Sequence, residues 1–156
     1  VLLLIGETST EFAGSHLDMV CGAPSGPGVA PAPVPDAPAD YRHLHAAIRA
    51  GLIESCHDVS EGGLAVTLAE MCIAGRLGAT IDTLPHDDLA TALFAESCGR
   101  LVVEVEPPRV AAFLKAMDNR AVRIGTVNDE STLRIAGVDS LPIDALVRAF
   151  QGGVDA

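Results

Sequence analysis

His57-Asp58-Val59-Ser60-Glu61-Gly62-Gly63-Leu64 sits where a short strand hands over to a long helix. Ile53 to Val59 reads as the strand. Glu61 to Ala74 reads as the helix, with Leu64, Leu68, Met71 and Cys72 along one side. Val66 and Ile73 make that helix apolar nearly all round, which predicts deep burial. Two consecutive glycines at a helix start cost roughly 0.5–1 kcal/mol each relative to alanine in a helix interior. They imply that something approaches the backbone closely. A helix N-terminus offers unpaired N–H groups and a partial positive charge, which suit phosphate. A carboxylate two residues before the serine can hold the accompanying Mg²⁺. The plainer reading is that Asp58 or Ser60 caps the helix and the glycines allow tight packing. The stretch is not a Walker loop, because no Gly-Lys-Ser/Thr follows. His57 reads either as a general base or as a hydrogen-bonded residue at a strand end.

Outward from this stretch, strands and helices interleave. Val1 to Ile5 is a continuous apolar run closed by Gly6 and predicts a strand buried on both faces. Asp40 to Ala50 suits a helix stopped by Gly51. Ala79 to Thr83 and Arg100 to Val105 read as strands, with a short helix over Asp87 to Leu93 between them. Pro107 and Pro108 open a further helix whose face is Val110, Phe113, Leu114 and Met117. Ala121 to Val127 and Thr132 to Ile135 read as two strands joined through Asn128-Asp129-Glu130-Ser131. Ser140 is placed to cap a last helix ending at Phe150, before Gly152-Gly153. The whole predicts an α+β fold of α/β-like order, a mixed β-sheet with helices packed on it. Residues 1–156 read as one domain. Within it, 21–38 holds six of the ten prolines and reads as an extended internal linker.

Composition narrows the functional classes. The 156 residues carry ten basic and 21 acidic side chains, a net charge of −11. That balance excludes a basic footprint for nucleic acid and disfavours anionic membranes. With four Phe, one Tyr and no Trp, stacking platforms for single strands are missing as well. No apolar run approaches a membrane span and no signal peptide is visible. Cys21, Cys56, Cys72 and Cys98 lack Cys-x-x-Cys spacing and read as free thiols of a reducing cytoplasm. The chain begins Val1-Leu2-Leu3-Leu4-Ile5 without Met, inside a strand. This reads as a piece of a longer polypeptide.

Two further stretches carry polar groups to strand ends. Phe94-Ala95-Glu96-Ser97-Cys98-Gly99-Arg100 places a Glu, a Ser and an Arg before a buried strand. Glu96 and Arg100 suit an ion pair, or Arg100 an anionic ligand. Gly6-Glu7-Thr8, continuing to Ala13-Gly14-Ser15, follows the first strand, and the default reading is a surface loop.

In this order, the stretches resemble the phosphoribosylformylglycinamidine synthase family, also called formylglycinamidine ribonucleotide synthetase. The family pattern His-Asp-x-Ser-Asp-Gly-Gly-Leu followed by Leu-Ala-Glu-Met is matched by His57 to Leu64 and Leu68 to Met71. Its Phe-x-Glu-Ser-x-x-Arg is echoed by Phe94, Glu96, Ser97 and Arg100, and its Ile-Gly-x-Val by Ile124 to Val127. Its Gly-Glu-Thr and Gly-Gly-Ser are echoed by Gly6 to Thr8 and Ala13 to Ser15. The resemblance implies the fold of the C-terminal domain of aminoimidazole ribonucleotide synthetase, here from the second half of the synthase. It implies an ATP-dependent ligase of purine biosynthesis that converts formylglycinamide ribonucleotide and glutamine-derived ammonia to the amidine. The implied cofactors are ATP or ADP and Mg²⁺, completed by a preceding domain. The implied partners are the other synthase domains, and a glutaminase and small accessory subunit in multi-subunit forms. By position, Asp58 would contact Mg²⁺, and Ser60, Gly62 and Gly63 the nucleotide. His57, Glu96, Ser97 and Arg100 would support the cleft. Ala13, Glu61 and Cys98 depart from the pattern; Cys98 replaces a substrate-contacting Gln, which implies a copy that is not catalytic. Selenophosphate synthetase and thiamine phosphate kinase share the domain type and define the alternative, as does a plain nucleotide-binding or dimerisation module.

Overall fold

The computed structural model describes residues 1–22 and 30–152. Its centre is β1 (Leu2–Ile5), every residue of which is buried. The reason is the strand's period of two. Leu2 and Leu4 join the apolar cluster on one face of the sheet, and Leu3 and Ile5 the cluster on the other. A continuous apolar run is what a strand between two helical layers requires.

Along the chain follow α1 (His16–Cys21), α2 (Ala37–Arg49), β2 (Ser55–Asp58), α3 (Gly63–Gly75), β3 (Gly78–Ile81) and α4 (Leu89–Phe94). Then come β4 (Leu101–Glu104), a 3₁₀ turn at Pro107–Arg109, α5 (Val110–Ala116), β5 (Ala121–Asn128), β6 (Thr132–Ile135), β7 (Leu141–Pro142) and α6 (Ile143–Phe150). The strands form one sheet in the order β2-β4-β1-β5-β3-β6-β7. Neighbours are antiparallel except for the parallel pair β3 and β6. One face packs Leu64, Leu68 and Cys72 of α3 and Ile143 of α6 against Leu4, Val102, Ile124 and Leu133. The other packs Leu44 and Ala47 of α2 and Phe113 of α5 against Leu3, Ile5 and Val103. The mixed sheet with packed helices is therefore the observed architecture.

Three sequence expectations need correction. The strands β5 and β6 are consecutive in the chain but do not pair. β3 lies between them, antiparallel to β5 and parallel to β6. Ser140 does not cap the last helix; Pro142 occupies the cap position without a side-chain bond, and the Ile143 N–H donates to the Ser131 carbonyl. The helix α1 was not foreseen: its cap Ser15 accepts from the Asp18 N–H at 3.2 Å. It takes in Cys21, the first residue of the supposed linker. At the other end of that stretch, Ala37 and Pro38 begin α2, where proline is tolerated in the first turn. Residues 23–29 of the linker, and Gly153, lie outside the described residues.

The sheet topology also sorts its ends. β1 and β2 both run antiparallel to β4, so their C-terminal ends meet the N-terminal end of β4 at one edge. There the turn Gly6-Glu7-Thr8, the turn Val59-Ser60-Glu61 and the segment Glu96 to Arg100 come together.

Candidate functional site

The turn from β2 into α3 is built by glycine geometry. Gly62 and Gly63 have φ of +77° and +67°, the left-handed region. A Cβ on Gly63 would lie 2.7 Å from the Leu93 carbonyl oxygen and 2.8 Å from that of Ala95. The close approach that the paired glycines imply is thus made by the chain's own backbone at the end of α4. On Gly62 a Cβ would lie 2.3 Å from Val66 Cγ2.

Glu96 supplies the anion for this helix start. Its Oε1 accepts the Gly62 N–H at 2.7 Å and the His16 N–H, the first residue of α1, at 2.9 Å. One carboxylate therefore serves the N-terminal ends of α3 and α1, where negative charge is favoured. The His16 ring faces the same group, with Nδ1 3.6 Å from Glu96 Oε1 and Nε2 3.9 Å from Glu61 Oε2.

Arg100 does not pair with Glu96. Its side chain is only 1% exposed. Nη1 donates to Thr8 Oγ1 at 2.9 Å, Nε to the Ser97 carbonyl at 3.3 Å, and Nη2 to the Ala95 carbonyl. Burial lowers its pKa to about 10, against the pull of the Glu11 charge. Ser97 is also buried; its hydroxyl accepts the Ser9 N–H at 3.0 Å and donates to the Ser9 carbonyl at 3.2 Å. Together Ser97 and Arg100 tie the loop after β1 to the segment before β4. They support the rim from within.

Asp58 and Ser60 stand outside this scaffold and are exposed. The Asp58 side chain is 70% accessible. Its backbone carbonyl is held by two donors, the Thr67 hydroxyl at 3.1 Å and His57 Nδ1 at 2.8 Å. The other ring nitrogen of His57 lies 3.3 Å from Glu70 Oε2. Both nitrogens of this imidazole face oxygen acceptors. As a donor set for a divalent cation, Asp58 offers one hard, accessible carboxylate. Among the described residues no group of three His, Cys, Asp or Glu side chains is placed to hold a metal. The described residues thus offer one possible ligand to a Mg²⁺ ion and not a complete site.

Beside the rim lies a cavity of about 450 Å³ between Gly6, Glu7 and Thr8 on one side and Thr83, Leu84 and Pro85 on the other. Its floor includes Leu4 and Val122. A second cavity, of about 360 Å³, lies between β2 and the C-terminal half of α3, lined by Cys56, His57, Met71 and Cys72. All four cysteines are free thiols. Burial pushes Cys72 up to about 11.

Sequence reasoning named His57, Asp58, Ser60, Glu96, Ser97 and Arg100, and all of them collect at this sheet end. It missed the parts played by His16, Thr67 and Glu70. The available signal for the last two was helical spacing: they lie three residues apart on α3.

Residues 1–137 match the family model described as AIR synthase related protein, C-terminal domain. The chain belongs to that family. As an AIR synthase related C-terminal domain it has curated relatives named phosphoribosylformylglycinamidine synthase subunit PurL. That of Lactobacillus helveticus is 39% identical over 142 residues, covering 86% of this chain and 18% of the relative. That of Cutibacterium acnes is 34% identical over 156 residues, covering 96% of this chain and 20% of the relative. The chain thus spans about a fifth of the length of these relatives. Among solved structures, Thermotoga maritima PurL complexed with FGAR superposes with a TM-score of 0.77 at 18% identity, covering 93% of this chain and 27% of that one. The hydrogenase maturation protein HypE in complex with ATP superposes at 0.60 and 18% identity, covering 91% of this chain and 49% of that one. These two likenesses confirm the fold of the AIR synthase related C-terminal domain. Among the described residues no helix is long and apolar enough to cross a membrane.

Proposed function

We propose that this chain is the C-terminal-type domain from the second half of a phosphoribosylformylglycinamidine synthase, an ATP-dependent ligase of purine biosynthesis. The observation that carries this reading is the match of nearly the whole chain to curated synthase subunits at 34–39% identity. In the full protein the amide oxygen of formylglycinamide ribonucleotide is phosphorylated, and ammonia from glutamine displaces the phosphate. This domain supports nucleotide binding and is inactive alone. Asp58 contributes one oxygen to Mg²⁺, and Ser60 faces the nucleotide phosphates. Gly62 and Gly63 shape the turn that presents both. His57, Glu96, Ser97 and Arg100 hold the rim in place. The chain is one domain of a longer cytoplasmic polypeptide. Its partners are the preceding synthase domains, with a glutaminase and a small accessory subunit where the enzyme is multi-subunit. Relatives complexed with ATP, ADP and AMPPCP support the nucleotide.

A second reading is favoured by Glu96, which already fills the anion position at the start of α3. In it the turn is purely structural and the domain a packing module. Calorimetry of Mg-ADP with the full-length protein and its Asp58→Asn variant separates the two. The first reading predicts a loss of affinity of at least tenfold, about 1.4 kcal/mol. Equal affinity and stoichiometry favour the packing module.

A further inference from the structure

We infer that the cavity between β2 and the C-terminal half of α3 is a binding site for a small arylalkylamine, with the Glu104 carboxylate as the anchor for its ammonium group. The cavity lies at the Ser55 end of β2, away from the Asp58 turn, and the inference does not depend on the function proposed above.

The sheet supplies the polar side of the cavity. Glu104 ends β4, with Ser55 of β2 directly opposite it on one flank and Leu2 of β1 on the other. Residues opposite one another in a sheet share a face, and Leu2 belongs to the apolar cluster under α3. The half-buried Glu104 side chain therefore stands on the face that α3 covers. Its Oε2 accepts the Ser55 hydroxyl at 3.0 Å. Among the described residues no Lys, Arg or His pairs with it. A carboxylate drawn back from water onto an apolar wall is best compensated by a cation, and charge-assisted hydrogen bonds are the strong ones. The same carboxylate repels phosphates and other anions, which sets this cavity apart from the rim.

The helix and the core supply the apolar side, with Leu68, Met71 and Cys72 of α3 beside Leu2 and Val127 of the sheet. α3 ends at Gly75, where an added Cβ would meet nothing within 4 Å. The cavity measures about 360 Å³. Small-molecule sites span about 300–1,000 Å³, and an apolar cavity of about 150 Å³ already admits benzene. The room therefore suits one ring on a short arm. The Met71 thioether and the Cys72 thiol favour a ring over an alkyl chain, because sulfur makes favourable contacts with aromatic edges. The ring packs on Leu68, Met71 and Val127, and the arm points its ammonium at Glu104.

The test uses the full-length protein with isotope-labelled methionine methyl groups, phenethylamine as the probe and phenethyl alcohol as its neutral counterpart. The Met71 methyl resonance, assigned by Met71→Leu, is the reporter, since a ring packed beside it moves it upfield. Phenethylamine moves this resonance saturably. The alcohol binds at least about tenfold more weakly, as expected when a hydrogen bond to a charged group is lost. Glu104→Gln keeps an oxygen for the Ser55 hydroxyl; it lowers the affinity for the amine to that for the alcohol and leaves the alcohol unchanged. A Met71 resonance at its wild-type position in the ligand-free variant shows that the variant is folded. Equal affinity of the wild-type protein for amine and alcohol overturns the inference whatever the variant does. So does a folded Glu104→Gln protein that binds the amine like wild type. A Met71 resonance that the amine does not move overturns it as well, and shows the cavity to be filled or covered in the full-length protein.

Discussion

Arg100 brings a guanidinium into a place that water barely reaches. Among the described residues no carboxylate neutralises it by direct contact; two carbonyls and a hydroxyl take its donors instead. Burying a charge is costly unless its donors are satisfied, so the three acceptors and the residue depend on each other. Replacing Arg100 by Met leaves the Ala95 and Ser97 carbonyls and the Thr8 hydroxyl without that partner. At about 1–3 kcal/mol per buried group left unpaired, the two buried carbonyls put the expected loss at about 2–6 kcal/mol. Urea unfolding followed by circular dichroism measures it. Arg100→Lys should recover little, because one ammonium cannot reproduce the fork. A midpoint within the error of wild type for Arg100→Met would show that the network contributes nothing. From sequence, Glu96 and Arg100 suit an ion pair before a buried strand, or Arg100 an anionic ligand. The structure separates them. A helix N-terminus competes for the carboxylate, and burial among carbonyls satisfies the arginine. Neither competitor has a sequence signature.

At the scale of elements, helix termini decide how much local sequence reveals. α4 has six residues and holds its start through Asp88, whose Oδ2 accepts the Thr91 N–H at 2.8 Å. That bond keeps the Asp88 carboxyl below the usual carboxylate range. A depressed folded-state value contributes stability above the unfolded value, near pH 4, and loses it as pH falls further. Asp82, held low by its hydrogen bonds to Arg123, adds to the same limb. Thermal unfolding between about pH 4 and pH 2 should therefore show a shallower acid limb in Asp88→Asn than in wild type. Superimposable limbs would contradict the assignment. Elements with strong internal patterns were legible: β1 from its apolar run, α3 from its heavy apolar content, α2 from its stripe and Gly51. The pairing of β5 was not. Strand order depends on contacts between distant residues, and β3 enters between β5 and β6 with no local mark of it. Ser140 failed as a cap because β7 continues through Leu141-Pro142, and Pro142 itself stands at the cap position.

Taken whole, the molecule is a scaffold that brings separated polar stretches to one sheet end. The His57-to-Leu64 turn, the Glu96-to-Arg100 segment and the Gly6-to-Thr8 loop meet there because β1 and β2 run the same way beside β4. The stretches themselves were readable in sequence, and so was their likeness to a synthase domain. Their division of labour was not, since exposure separates Asp58 and Ser60 from the buried Ser97 and Arg100. The net charge of −11 is compatible with a nucleotide if a metal carries the positive charge, and Asp58 is one of the accessible carboxylates at the rim, with Glu61 in the same turn. On the function proposed, this sheet end faces a nucleotide in the complete protein. A structure of the full-length protein with Mg-ADP tests it most directly. The expected result is a metal liganded by the Asp58 carboxylate and a phosphate oxygen within hydrogen-bond reach of Ser60. Nucleotide bound elsewhere in the protein, with another domain's side chains packed over Asp58 and Ser60, would contradict it.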